Sequence, residues 1–182
     1  MNKFKFLSVI IIGALLVTFS SCDKVTDLAD ITFDTSLSSN ISATSAGETR
    51  ADTTYAFSGS AIVDPTSDST INKYWDNLKS WNIQKVTLKV KTISQDATMT
   101  EGHLIVKDNN TEDVLFTADA TGFPLTAGTV IMEVTSGDWV GTEAALMAQH
   151  SLFISIDGAL DQPNVDVTFT VVVDSKVTAN PL

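Results

Sequence analysis

The residues of this 182-residue chain whose types and spacing could do chemistry begin with a cluster of oxygen donors. The run 107-KDNNTED-113 sets Asp108, Asn110 and Glu112 at alternating positions, with Asp113 beside them, and so partly echoes a calcium-binding loop. The glycine and the distal bidentate glutamate of the helical calcium loop are missing. The same residues read more economically as a hairpin turn, because Asn and Asp tolerate positive φ and bond their own backbone. His103 and His150 are the two imidazoles available for acid–base work. Around them the sequence offers no G-x-S-x-G elbow, no H-E-x-x-H pair, no phosphate-binding glycine loop and no dinucleotide fingerprint. The expectation is a chain without catalytic residues, without a resident metal and without a cofactor, in which both histidines are structural or surface groups.

Aromatic residues raise a different chemistry. The three tryptophans, Trp75, Trp81 and Trp139, fall in or beside two predicted helices. Trp75 fits a buried helix face. Trp81 and Trp139 are the candidates for an exposed platform on which the apolar face of a sugar, or another small ligand, would stack.

Cys22 is the only cysteine, so the chain can form neither an internal disulfide nor a thiolate metal cluster. Upstream, Lys3 and Lys5 form a basic start and Phe6 to Val17 an apolar run broken only by Ser8, the layout of a secretory signal. That run falls well short of the roughly 20 residues needed to cross a bilayer. Ser20 and Ser21 then lead directly into Cys22, and this arrangement resembles the lipobox of bacterial lipoprotein precursors, with Phe19 standing where the family usually has an aliphatic residue. The resemblance covers the first 22 residues. It implies cleavage before Cys22 and lipid attachment to it, with residues 1–21 as signal, 22–30 as lipidated cysteine and short tether, and 31–182 as one domain. More than one acyl chain makes a stable anchor where a single chain does not. The implied location is the cell envelope of a Gram-negative bacterium, with the outer membrane favoured, although Asp23 after the cysteine resembles an inner-membrane retention signal of some groups.

Arg50, the sole arginine, lies in the polar segment 47-GETRAD-52. Its position resembles the maturation site of lipoprotein-derived fimbrial subunits, in which a cut after an early strand opens a groove for a strand from the next subunit. By that resemblance Ile31 to Ile41 would be the removable strand. A solvated loop arginine is the simpler reading.

The whole chain carries 11 Lys+Arg and 22 Asp+Glu, and removal of residues 1–21 leaves 9 against 22, a net charge of about −13. Such a field repels phosphate backbones, which argues against a nucleic-acid partner. A protein or glycan partner is left open. About 160 residues then suffice for one core that buries roughly two thirds of the unfolded surface.

These groups must be positioned by strands. Apolar residues alternate with polar ones at Ile31–Ile41, Tyr55–Val63, Val86–Val90 and Val165–Val173. Further strands are predicted at Leu104–Lys107, Val114–Ala118, Val130–Thr135 and Leu152–Ile156. About eight such strands, divided by Gly, Asn, Asp and Pro turns, predict an all-β fold. Its form would be a two-sheet antiparallel β-sandwich of the Ig-like or Greek-key type, with a closed barrel as the alternative. Two segments break the period. Ile71, Tyr74, Trp75 and Leu78 predict a helix within 69–82, capped by Ser69 or Thr70, and 138–150 predicts an Ala-rich helix capped by Thr142. Both are expected to close the ends of the sandwich. The segments 64–68 and 157–164 read as turns.

Overall fold

The computed structural model describes residues 30–47 and 53–180; Cys22, the apolar run before it and Arg50 lie outside the described residues. In chain order the elements are β1 (Ile31–Thr44), β2 (Tyr55–Val63), α1 (Ser69–Lys73), β3 (Leu78–Ile93), β4 (Ala97–Asp108) and β5 (Val114–Ala120). There follow β6 (Phe123–Leu125), β7 (Val130–Val134), α2 (Val140–Met147), β8 (Leu152–Leu160) and β9 (Asp166–Ala179).

Alternation fixes which face each strand buries. In β9, Val167, Phe169, Val171, Val173 and Val177 are buried, while Asp166, Thr168, Thr170 and Lys176 point outward. In β3, Val86, Leu88 and Val90 turn inward while Lys85 and Lys89 face out. The first sheet runs β1-β9-β3-β7 and the second β2-β8-β4-β5, with β6 pairing the start of β4. All pairings are antiparallel. Strands from opposite ends of the chain pair: β1 with β9, β2 with β8, β3 with β7, and β4 with β5. Successive pairs alternate between sheets, as in one long antiparallel ribbon rolled up. This is the strand order of a jelly roll, two Greek keys packed face to face. The sandwich and its Greek-key wrapping follow the sequence pattern; the order within each sheet is not that of an immunoglobulin domain, and two separate sheets replace the barrel alternative.

The two inner faces meet at fully buried side chains such as Phe169, Ile41, Leu104 and Ile154, and the Phe57 and Phe169 rings lie 6.0 Å apart across the core. Each such side chain contributes roughly 1.5–3 kcal/mol by leaving water. Two glycines permit close backbone approach, Gly59 between the two sheets and Gly158 between neighbouring strands of the second sheet. A Cβ on Gly59 of β2 would sit 2.5 Å from the Ser42 carbonyl oxygen of β1, and one on Gly158 of β8 would sit 2.1 Å from that of Glu101.

Several elements differ from the sequence pattern. The predicted helix over 69–82 survives as the single turn α1, because Leu78, Trp81 and Ile83 enter the ladder with β9 and the alternating burial of Trp81 and Ile83 outweighs helical spacing. Asp68, not Ser69 or Thr70, caps α1, accepting from the Thr70 and Ile71 amides at 2.7 and 3.0 Å. Thr142 is buried within α2 and does not cap it; Trp139 holds that position without a side-chain bond. The segment 157–164 is no turn over its first half, since β8 continues to Leu160. A ninth strand, β6, was hidden by Pro124, which marks a short edge strand.

Both helices lie at the same end of the sandwich. That end gathers the start of β1, the start of β3 and the end of β9, as shown by the pairings of Ala179 with Ile31 and with Leu78. Lys79 binds Asp30 at 2.8 Å there, the Phe33 and Tyr74 rings lie 5.9 Å apart, and the Gln149 amide donates to the Trp75 carbonyl at 3.0 Å. The chain enters the domain at this end.

Candidate functional site

The turn between β4 and β5 joins α2 through one buried carboxylate. Asp108 ends β4 on the inward parity and is 5% exposed. One of its oxygens accepts from the Asn110 amide at 2.7 Å and the Thr111 amide at 3.3 Å; the other meets Nδ1 of His150 at 2.7 Å. A carboxylate only accepts, so Nδ1–H of His150 is the donor, which fixes the tautomer with the proton on Nδ1. Burial pushes the Asp108 carboxyl up. The bonds from His150, Asn110 and Thr111 more than reverse that and hold it below the usual carboxylate range.

This geometry assigns the cluster to the fold. Of the three candidate cation ligands, Asp108 has both oxygens engaged by the turn and by His150, and it points into the protein. The turn around it places Glu112 in the left-handed region at φ 63°, with its amide bonded to the Asp108 carbonyl at 2.9 Å. Among the described residues no group of three His, Cys, Asp or Glu side chains is arranged to hold a metal ion. Asp108, Asn110 and Glu112 thus form an Asx-type hairpin turn of the kind the Asn- and Asp-rich sequence allows.

His103 has a separate setting on the outer face of the second sheet. Its Nδ1 lies 2.6 Å from Asp119 on β5 and its Nε2 3.0 Å from Glu101 on its own strand. Asp157 of β8 stands directly opposite it in the ladder. The bonds to Asp119 and Glu101 raise the His103 pKa above the ordinary imidazole value. The row's other neighbour across β8 is Ser58, which pairs with Asp157 and not with the imidazole strand.

The tryptophan candidates are corrected by burial. Trp81 is 4% and Trp139 8% exposed, so neither presents a ring face to a ligand. Trp139 packs on Phe116 with ring centroids 4.7 Å apart, and Trp81 turns inward from β3 beside its ladder partner Val177. Arg50 and Cys22, the two modification candidates, lie outside the described residues.

Two contacts escaped the sequence reading. Thr35, buried in β1, donates to the Asp68 carboxylate at 2.9 Å and so pins the cap of α1 to the sheet. Desolvation raises the Asp68 pKa, and the bonds from Ile71, Thr35 and Thr70 bring it below its ordinary value. The Glu143 carboxylate accepts from the Ile83 amide at 2.8 Å, beyond the end of β7, where β3 has no ladder partner on that side among the described residues. The capping string 68-DSTI-71 carries the first signal; nothing local marks the second.

No protein-family model matches the chain, and no curated protein matches it. Solved structures to which it is similar include a decameric BFDV capsid protein, at 9% identity and TM-score 0.46 over 81% of this chain and 99% of that one. Others are Mud crab tombus-like virus, at 10% identity and TM-score 0.39 over 84% and 83%, and Cocksfoot mottle virus, at 12% and 0.36 over 82% and 84%. The jelly-roll assignment rests on the strand order, not on these likenesses.

Proposed function

We propose that this protein is a lipid-anchored component of a bacterial cell envelope, held at the membrane through Cys22, whose jelly-roll domain acts by binding or structural interaction and not by catalysis. The observation that carries the reading is a division of labour along the chain. The lipobox-like Ser20-Ser21-Cys22 stands eight residues before the described fold begins, while the groups within the fold that could do chemistry are spent on holding it: Asp108 and His150 on each other, and Asp68 on α1 and Thr35. The net negative charge argues against a nucleic-acid partner and leaves a protein or glycan partner open. The outer membrane is the favoured site.

Fractionation tests this directly. The native chain should partition with membranes and take up labelled fatty acid, and Cys22→Ser should abolish both; a Cys22→Ser chain that stays membrane-bound would overturn the anchor. A crosslinking pull-down from the native cell would then name the partner class.

One observation favours a second reading in which a cut after Arg50 releases the first strand. Among the described residues β1 is an edge strand whose single ladder partner is β9, so its departure would open the β9 edge to an incoming strand. Leu37 and Ile41 would leave the core with it. Protease digestion of intact cells followed by mass spectrometry separates the readings, since a chain that stays joined across Arg50 in the mature protein excludes strand release.

A further inference from the structure

The outer face of the second sheet is divided in composition along its strands. At the end where the chain enters, the ladder sets Ile62, Phe153, Lys107 and Val114 side by side across β2, β8, β4 and β5. Ile62 is 52% and Val114 57% exposed, and a hollow of about 360 Å³ opens between Phe153, Lys107 and Glu112. Four residues further along β8, about 13 Å away at strand rise, the row across the same face is Asp157, His103 and Asp119, with Glu101 alongside. The first row is thus apolar apart from Lys107, with carboxylates confined to the turns that flank it, whereas the second is made of charged side chains.

We infer that the row Ile62, Phe153, Lys107 and Val114 is a membrane-contact surface that seats on the lipid bilayer to which Cys22 is tethered. The inference rests on the anchoring reading above and adds to it an orientation. Asp30 is the first described residue, and the eight residues from Cys22 to it reach at most about 28 Å at full extension. The apolar row lies at the entry end, where that tether joins the domain, while the row of Asp157, His103 and Asp119 lies further from it. A tether this short holds the domain at high effective concentration against the surface, so a small apolar contact suffices where free protein would not bind. Lysine in such a row lays its aliphatic stem along apolar surface and keeps its ammonium at the headgroups. The flanking turns carry Asp64, Glu112 and Asp113, all exposed, which fits a neutral headgroup surface and opposes an anionic one. The row of Asp157, His103 and Asp119 offers no apolar area to seat on lipid and stays in water, and the hydroxyl-rich outer face of the first sheet, with Ser38, Asn40 and Thr170, turns outward.

The test uses Cys22 as the only thiol. The chain from Cys22 is coupled to a maleimide lipid in phosphatidylcholine vesicles, which supplies a tether whether or not the cell lipidates the protein. Tryptophan is introduced as Ile62→Trp on the contact row or as Thr170→Trp on the opposite face, and quenching by brominated phosphatidylcholine is compared with the unsubstituted chain. The added quenching should be at least twofold greater at position 62 than at 170, and should fall when a third of the lipid is phosphatidylglycerol. Equal quenching at the two positions would overturn the contact surface even if the native protein proves to be lipidated. Stronger quenching at 170 would reverse the orientation and overturn it as well. Mass analysis of Cys22 in the native protein reports on the anchor separately.

Discussion

Replacing Asp108 with alanine should destabilise the domain by about 3 kcal/mol at neutral pH. The carboxylate is buried and receives three hydrogen bonds, from the Asn110 and Thr111 amides and from His150. A hydrogen bond to a charged group contributes roughly 1.5–3 kcal/mol, and the three share one side chain, so their sum is less than three separate terms. A loss near 3 kcal/mol is a large share of the 5–15 kcal/mol that holds a domain of this kind. With a urea m-value of about 2 kcal/mol/M, the midpoint should move down by about 1.5 M. The buried Trp81 and Trp139 supply the fluorescence that reports the transition. The pH dependence has a definite sign. Because the folded Asp108 carboxyl lies below its ordinary value, its contribution is complete above the unfolded pKa of about 3.9 and is lost as the pH falls through the folded one. The difference between the native chain and Asp108→Ala should therefore hold from pH 7 to about pH 5 and shrink below pH 4. Asp108→Asn keeps an acceptor for the turn and should cost less than Asp108→Ala. An unchanged midpoint, or a loss of equal size at pH 7 and pH 3, would refute the role given to this carboxylate.

Three further outcomes follow from the same geometry. Gly158→Val places a Cβ against the Glu101 carbonyl and the Gly102 Cα, both backbone, and should cost about 4 kcal/mol or more, seen as a fall in thermal midpoint or as loss of soluble protein. Ser175→Ala should instead stabilise the domain by about 1 kcal/mol in urea unfolding, because the Ser175 hydroxyl is buried at 2% exposure with no hydrogen-bond partner among the described residues. His103 should titrate by NMR above the ordinary imidazole pKa of about 6.5, and Asp119→Asn should bring it down. Its stabilising effect is complete below that ordinary value and fades as the pH rises through the folded one.

The fold was legible where one face of a strand is buried and the other wet. β9 reads as Val-x-Phe-x-Val-x-Val over 167–173 because each inward residue meets the core and each outward one meets water. The strand order was not legible, since it depends on which edges meet after the chain has wrapped; nothing within β1 says that its partner lies at the far end of the chain. Helical spacing misled at 71–78 because Leu78 serves equally as the last residue of a helix face or the first of a strand, and the ladder with β9 decides for the strand. Trp81 reads as available for a ligand only on a helix, whereas in β3 it takes the inward parity; Trp139 does stand at the start of a helix and is covered by Phe116 of β5, which nothing local marks. The Asp108 turn was visible as a turn, yet its partner His150 is 42 residues away and carried no local mark. The distribution of residues on the outer face of the second sheet was equally hidden, because Ile62, Phe153, Lys107 and Val114 become neighbours only through register.

The central claim is that Cys22 is the lipid-bearing first residue of the mature protein. Intact-mass measurement of the protein extracted from membranes of its native cell tests it most directly. The account predicts a chain that begins at Cys22 and carries the added mass of a diacylglycerol thioether and an N-linked acyl chain. A chain that begins elsewhere, or one in which Cys22 carries a free thiol, would contradict it.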